Sequence, residues 1–443
     1  MKTSQISQLL ESTVTEAVDL ARRLGADQAE AGISHEEGYS VTVRLGELES
    51  VERQRDRGLS VTVYRGGRKG SASTVDYSSG AVEQTVRKAM SIAEFTAEDE
   101  FAGLADADLM ARELPDLDLY HPWEIDIAEA ERLALRAEDA ARGADERITN
   151  SEGATVSTGG GVRAYANSHG FCAGFPASSH SLSCSVVAGE DGSLERDYWY
   201  TTARVPGELD TPESVGETAA SRTIRRLGAR QLSTRSVPVV FPAELARGLF
   251  GHLVGAITGT SQYRKASFLL DAAGERVFPE FMEIREDPFI PRAMSSAAYD
   301  SEGVATRRRT LVAKGVLAGY VLSAYSARRL GMQTTGNAGG VRNLIVTPNG
   351  GSLEDLLGEC PQAFLVGELL GQGVNTVTGD YSRGAAGFWV EDGAIVHAVH
   401  EVTLAGNLKD VFKGVLKVGS DVDTRGGIRC GSVLVEGLTV AGT

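Results

Sequence analysis

The chain is poor in cysteine, in positive charge and in long apolar runs, and each shortage excludes a class of protein. Only four cysteines stand among 443 residues, Cys172, Cys184, Cys360 and Cys430, and no two form a C-x-x-C pair. A disulfide framework is therefore not encoded, and the usage fits a reducing compartment. Lysine and arginine number 44 against 60 aspartates and glutamates, a formal net charge of −16. Nucleic-acid binding requires a positive surface that displaces counterions, so no direct DNA or RNA role is expected. The short basic runs Arg225–Arg226 and Arg307–Arg309 read as solvated faces or ion-pairing partners. No segment approaches the roughly 20 apolar residues of a membrane helix. The opening MKTSQISQLLESTVTEAVDLARRLG is amphipathic and has no apolar signal-peptide stretch. A cytoplasmic location without membrane contact is expected. Gly371–Thr376 resembles a phosphate loop but lacks the third glycine, and neither Gly-Lys-Ser/Thr nor G-x-S-x-G occurs.

Glycine, by contrast, is abundant at 52 residues. These glycines flank short apolar runs, which favours turns and strands over a helical bundle. The length calls for two or three domains. The pattern predicts an α+β fold: N-terminal α/β units, helices on small antiparallel sheets, followed by a β-rich C-terminal domain. Residues 1–97 form the first unit. Ile6, Leu9, Leu10, Val14, Val18 and Ala21 give a helix ended by Gly25. Four short strands follow over 39–46, 47–56, 58–67 and 68–74, then a helix capped by Ser78 or Ser79. Residues 98–124 are acidic, contain Pro115 and Pro122, and read as a linker. The middle unit, 125–230, has a helix near 126–142, strands at 151–157, 161–168, 181–189 and 194–203, and a helix started by Thr211-Pro212-Glu213. From 235 to 443 the text turns to strands, with a hairpin at Lys314–Gly315 and a turn at Glu391–Gly393.

One segment stands out. In FPAELARGLFGHLVGAI (241–257), Leu245, Leu249, Leu253 and Ile257 recur every four residues along one helix face. Glu244 sits in the first turn, where zinc peptidases with H-E-x-x-H and related motifs keep the glutamate that activates water. Ala243 and Gly248 stand where histidines would flank it, and neither can donate an electron pair to zinc. By itself the segment is an amphipathic helix. His35–Glu36 reads as a loop decoy. His252 reads as a packed or interface histidine, and Cys430 as a small buried residue beside Gly431.

Around that helix the C-terminal half is similar to the TldE (PmbA) branch of the TldD/TldE peptidase family. The blocks GLFGHLVGAITGTSQYRKASFLLD (248–271), YDSEGVATR (299–307), SAYSARRLGMQTTGNAGG (323–340), GDYSRGAAGFWVEDG (379–393), AGNLKD (405–410) and CGSVLV (430–435) carry the resemblance. It covers most of the last 200 residues; the N-terminal half is similar more loosely. The catalytic branch has H-E-x-x-x-H and a C-terminal cysteine as third zinc ligand. Laid over this chain, those positions fall on Ala243, Glu244, Gly248 and Cys430, a vestigial set with two of three ligands gone. The resemblance implies a chain with no metal or catalytic residues of its own, completing the substrate cavity of a TldD-type subunit that supplies zinc. It implies a cytoplasmic metalloprotease heterodimer, or a homodimer when the chain is alone, acting on unfolded peptides that enter extended. The glycines of GDYSRGAAG suit either a tight connection between strands or a groove-lining loop in which Tyr381 and Arg383, residue types enriched at interaction hot spots, face the partner or substrate. The alternatives are an independent hydrolase with an atypical metal site, or a non-enzymatic peptide-binding scaffold.

Overall fold

The computed structural model describes residues 3–190 and 192–442. The fold is α+β. Helix α1 (Thr3–Arg23) buries Leu10, Val14, Ala17, Val18 and Ala21. It stops where Gly25 takes φ +92°. There the amides of Gly25 and Ala26 close on the carbonyls of Arg22 and Ala21 at 3.0 Å each, a double C-terminal cap that L side chains adopt poorly. Strands β1 (Gln28–Arg44), β2 (Glu47–Arg65) and β3 (Arg68–Thr74) follow, then helix α2 (Ser79–Phe95). Ser78 occupies the N-cap position of α2, but its side chain makes no capping bond.

The chain continues through α3 (Ile127–Gly143), β4 (Ile148–Asn167), β5 (Cys172–Glu190), β6 (Ser193–Ala203) and α4 (Pro212–Ile224). Thr211 caps α4 by accepting from the amide of Ser214, with Pro212 in the first turn. Strands β1 to β6 make one antiparallel sheet in the order β3-β2-β1-β4-β5-β6. The segments on either side of residues 98–124 thus meet through the β1–β4 pairing.

These strands are longer than the sequence pattern suggested. The runs 47–56 and 58–67 are one strand, and 151–157 and 161–168 are joined through Gly159–Gly161. Glycine removes side-chain periodicity but keeps its backbone donor and acceptor, and here Gly159 pairs with Gly38 on one side and Ser179 on the other. Leu45 is not in the core; it sits in the β1–β2 turn at φ 54°, exposed. On β1, Ala29, Ala31 and Ile33 pack against α1 and α2, and Val41 and Val43 against α3 and α4. All are odd-numbered, so one face of the sheet carries both helix pairs. The other face is turned away from them.

Residues 98–124 hold only a short 3-10 turn at Ala107–Leu109, yet they are packed. Leu104, Ala105, Met110, Ala111, Leu117 and Leu119 are buried. The segment straps the first sheet to the C-terminal part: Ser178 donates to the carbonyl of Leu119, and Arg292 to that of Leu117, each at 2.9 Å.

The C-terminal part is β-rich. It runs β7 (Arg235–Phe241), α5 (Ala243–Ala256), α6 (Gly259–Tyr263), β8 (Ile284–Glu286), β9 (Arg309–Ala313), β10 (Val316–Leu317) and α7 (Ala324–Arg329). Then come β11 (Leu344–Val346), α8 (Leu353–Gly358), β12 (Gln362–Leu370), β13 (Asp380–Glu391), β14 (Ala394–Asn407), α9 (Leu408–Lys413), β15 (Val415–Val418), β16 (Ile428–Arg429) and β17 (Val433–Ala441). Two sheets form, β10-β9-β8-β11-β16 and β14-β13-β12-β7-β17-β15. Both expected turns are present: Lys314–Gly315 and Asp392–Gly393 each have two consecutive positive φ values, which match the twist of a tight hairpin. Leu249, Phe250, Leu253 and Ile257 seat α5 in the core of this part.

Candidate functional site

Strand β7 delivers a buried Phe241 and Pro242 to the start of α5, so the first turn of that helix is fixed from below. Ala243 is 7% exposed and Cys430, just after β16, is fully buried. The Cys430 Sγ lies 3.8 Å from the carbonyl oxygen of Ala243. The fold therefore brings two of the vestigial positions into contact across 187 residues of sequence. Burial pushes the Cys430 thiol up to about 12, with Asp423 adding to the effect. Gly248 is on the exposed side of α5, and a Cβ there would meet nothing within 4 Å.

Glu244 projects toward α4, where Arg222 holds it at 2.7 Å. This pair opens a larger ion-pair lattice. The Arg222 guanidinium reaches Asp197 of β6 at 3.5 Å. Arg226 reaches Glu195 at 3.3 Å, Asp197 at 3.6 Å and Glu368 of β12 at 2.5 Å. Trp199 is stacked by two guanidinium groups, Arg222 at 5.0 Å and Arg425 at 4.3 Å. Arg425 is paired with Asp423 at 3.0 Å. Burial alone would raise the Asp423 carboxyl, but the hydrogen bonds and charge of Arg425, with the charge of Arg247, hold it below its ordinary range. A cavity of about 290 Å³ opens beside the lattice, lined by Glu244, Arg222, Arg225, Asp197 and Phe388 among others.

Zinc does not fit this set. A methyl group, a hydrogen atom, a thiol held protonated and a carboxylate committed to arginine do not make a tetrahedral site. Among the described residues no group of three or more His, Cys, Asp and Glu is placed to hold a metal ion. The resemblance named Ala243, Glu244 and Cys430 as motif positions, and of these the structure brings Ala243 and Cys430 into contact. Arg222, which pairs with Glu244, and Asp197, which pairs with Arg222, carried no signal in the sequence; of the Arg225–Arg226 run, read as a solvated face or an ion-pairing partner, Arg226 is ion-paired.

Tyr381 and Arg383 lie elsewhere, and their expected outward presentation from a loop is corrected. Their segment is strand β13, and Tyr381 is 2% exposed in the core of the C-terminal part. Strand alternation sends Tyr381 inward, where its ring meets His252 of α5 edge-on at a centroid distance of 6.1 Å. Burial, and secondarily the charge of Arg383, hold the His252 pKa down. Arg383 is partly buried and donates to the carbonyl of Leu369 at 3.3 Å. His35 is not in a loop but inside β1, bonded to Glu37 at 3.0 Å.

The first turn of α5, with Glu244 tied to Arg222 and Cys430 of the far end of the chain behind Ala243, is the frame that the C-terminal fold builds here. The comparisons give that frame its family. The chain belongs to the PmbA/TldA metallopeptidase family: its domain 1 model matches residues 29–93, its central domain 120–227 and its C-terminal domain 234–442. The chain is 49% identical over 434 residues to Metalloprotease PmbA of Escherichia coli O157:H7, covering 98% of this chain and 96% of that protein. A crystal structure from Bacteroides thetaiotaomicron, described as a proposed modulator of DNA gyrase, superposes with a TM-score of 0.92 at 26% identity, covering 98% of this chain and 99% of that one. The structure of TldE from Thermococcus kodakarensis shares the fold, with a TM-score of 0.81 at 20% identity over 97% of this chain and 100% of that one.

Proposed function

We propose that this chain is the TldE-type subunit of a cytoplasmic TldD/TldE-type metalloprotease that cleaves unfolded peptides. A TldD-type partner supplies the zinc, and this chain completes the substrate cavity. The observation that carries this reading is the Arg222–Glu244 pair. The carboxylate at the water-activating position of the motif is bound to a guanidinium, and the flanking positions are Ala243 and Gly248. A carboxylate in that state does not serve as a free general base. Relatives named as metalloproteases support a protease context, and the missing donors favour a supporting part for this chain. Arg383, at the edge of the buried Tyr381, is the residue through which β13 contributes to the partner or substrate contact. In the absence of a partner the chain forms a homodimer.

The test is to purify the chain alone and co-expressed with an H-E-x-x-x-H partner. Alone it should hold no stoichiometric zinc by elemental analysis and should leave an unfolded peptide intact. The co-purified pair should hold zinc and cleave. About one tightly held zinc per chain in the isolated protein, or full cleavage without a partner, would return the assignment to an independent hydrolase.

A further inference from the structure

The face of the first sheet that carries no helices looks onto a second cavity, of about 770 Å³, closed on its other side by residues 294–301 and by Arg342. Its floor is built by register. Gly38 of β1 faces Gly159 of β4, which faces Ser179 of β5. One step along, Ser40, Ser157 and Ser181 line up in the same way. In these two rows three adjacent strands present only hydrogen and hydroxymethyl groups, a low-walled strip of floor bordered in the same cavity by Glu36, Glu37, Asp56 and Arg163.

Arg342 stands at the C-terminal wall of this cavity. Its Nε is buried with no hydrogen-bond partner, and its guanidinium makes no hydrogen bond or ion pair among the described residues. Two carboxylates lie near enough to act on it through space, Asp300 and Glu286, but both are already engaged. Asp300 accepts the amides of Glu302, Val304 and Ala338. Glu286 binds Arg309 at 2.7 Å and accepts from Asn337 and from the Arg342 amide. A second arginine of the wall, the buried Arg204, spends its donors on the carbonyls of Ser178, Ala293 and Met294, which ties the sheet to the wall. One cationic fork is therefore left over, facing a polar trough. Burying the Nε of a guanidinium without a partner is costly, and the group that satisfies such a fork best is a planar oxyanion taken two bonds at a time.

We infer that Arg342 is an oxyanion subsite that takes the terminal carboxylate of an extended peptide lying over the Gly38–Gly159–Ser179 floor. This deepens, and rests on, the peptide-handling reading above. It gives this subunit a preference for chain ends that the partner's zinc does not supply.

The test uses the full chain, alone and assembled with its partner, and fluorescence anisotropy of a dye-labelled ten-residue Gly/Ser/Ala peptide. One form ends in a free carboxylate, the other in an amide. The free acid should bind at least tenfold more tightly, and Arg342→Gln should abolish the difference while leaving the amide form unchanged. Equal binding of the two forms overturns the inference and leaves the subunit reading intact. If neither form binds in either preparation, both fall. Displacement of the peptide by inorganic phosphate, at concentrations where acetate is inert, reassigns the subsite to a phosphate and overturns the chain-end reading. Should Arg342→Gln melt well below the parent, Ser179→Phe serves instead. It fills the floor without touching Arg342 and should weaken both forms at least tenfold, and unchanged binding overturns the inference.

Discussion

The Cys430 thiol faces the carbonyl of Ala243, so the position of the third metal ligand lies beside that of the first. Gly248, the other histidine position of the family motif, lies on the exposed side of α5, away from this contact. By the family motif, the double substitution Ala243→His and Gly248→His is the minimal route toward a three-ligand site with Cys430. The two changes differ in consequence. Ala243 is enclosed, so a histidine there overpacks at a cost of about 1–3 kcal/mol. Gly248 has open space above it, and replacing a helix-interior glycine by histidine recovers roughly 0.3 kcal/mol. Elemental analysis should find zinc in the double variant and none once Cys430→Ala is added. Equal uptake in that background would remove Cys430 from the ligand set.

Arg222 answers to two carboxylates, Glu244 and Asp197, at side-chain exposures of 17%, 18% and 9%. Arg222→Met removes the cation and leaves Glu244 without its ion-pair partner in a largely dry site, while Asp197 keeps Arg226 at 3.6 Å, at a cost of about 2–4 kcal/mol in urea unfolding. Adding Glu244→Gln to Arg222→Met should restore part of that loss. A coupling energy in the double-mutant cycle below ~0.5 kcal/mol would show that the pair is a passive contact.

How far the sequence discloses this molecule depends on the range of the interaction. Helix α1 was legible because its apolar residues repeat at helical spacing and Gly25 offers the positive φ that ends it. Thr211 announced α4 in the same local way. Strands β2 and β4 were cut in two because residues 47–56 face solvent on both sides and Gly159–Gly161 carry no side chains, so the period-2 signal disappears while the backbone ladder continues. The Glu244 position could be read from its motif. Its partner could not, since a contact between α4 and α5 leaves no spacing signature. Tyr381 was misplaced for a related reason: flanking glycines imitate a turn, and only the β13–β14 register shows an alternating strand.

The packing of Tyr381 makes a sharp expectation. Tyr381→Ala should destabilise the isolated chain by about 3–5 kcal/mol through the cavity it leaves beneath His252. Tyr381→Phe keeps the ring and should cost less than ~1.5 kcal/mol. Arg383→Ala, by contrast, should leave the thermal melt of the isolated chain almost unchanged and weaken association with the partner. A stable, fully folded Tyr381→Ala chain would contradict the core placement.

Glu302 supplies a pH signature at the junction of the strap, the first sheet and the C-terminal part. Burial raises its pKa to about 7; the charges of Asp300 and Glu30 act in the same direction, while the Ala324 amide and Arg328 oppose them. The carboxyl thus holds its proton more tightly folded than unfolded, where an ordinary value near 4.5 applies. Between those values the native state binds more protons, so stability falls as pH rises from about 4.5 to 7 and the loss is complete above the folded value. Glu302→Gln keeps an acceptor for the Ala324 amide and removes the charge. It should raise stability at pH 8 by about 1–3 kcal/mol relative to the parent, with the gain shrinking toward zero at pH 5. Urea unfolding of both proteins across that range is the measurement, and a pH-independent difference would mean that the carboxylate at 302 stays ionised in the folded chain.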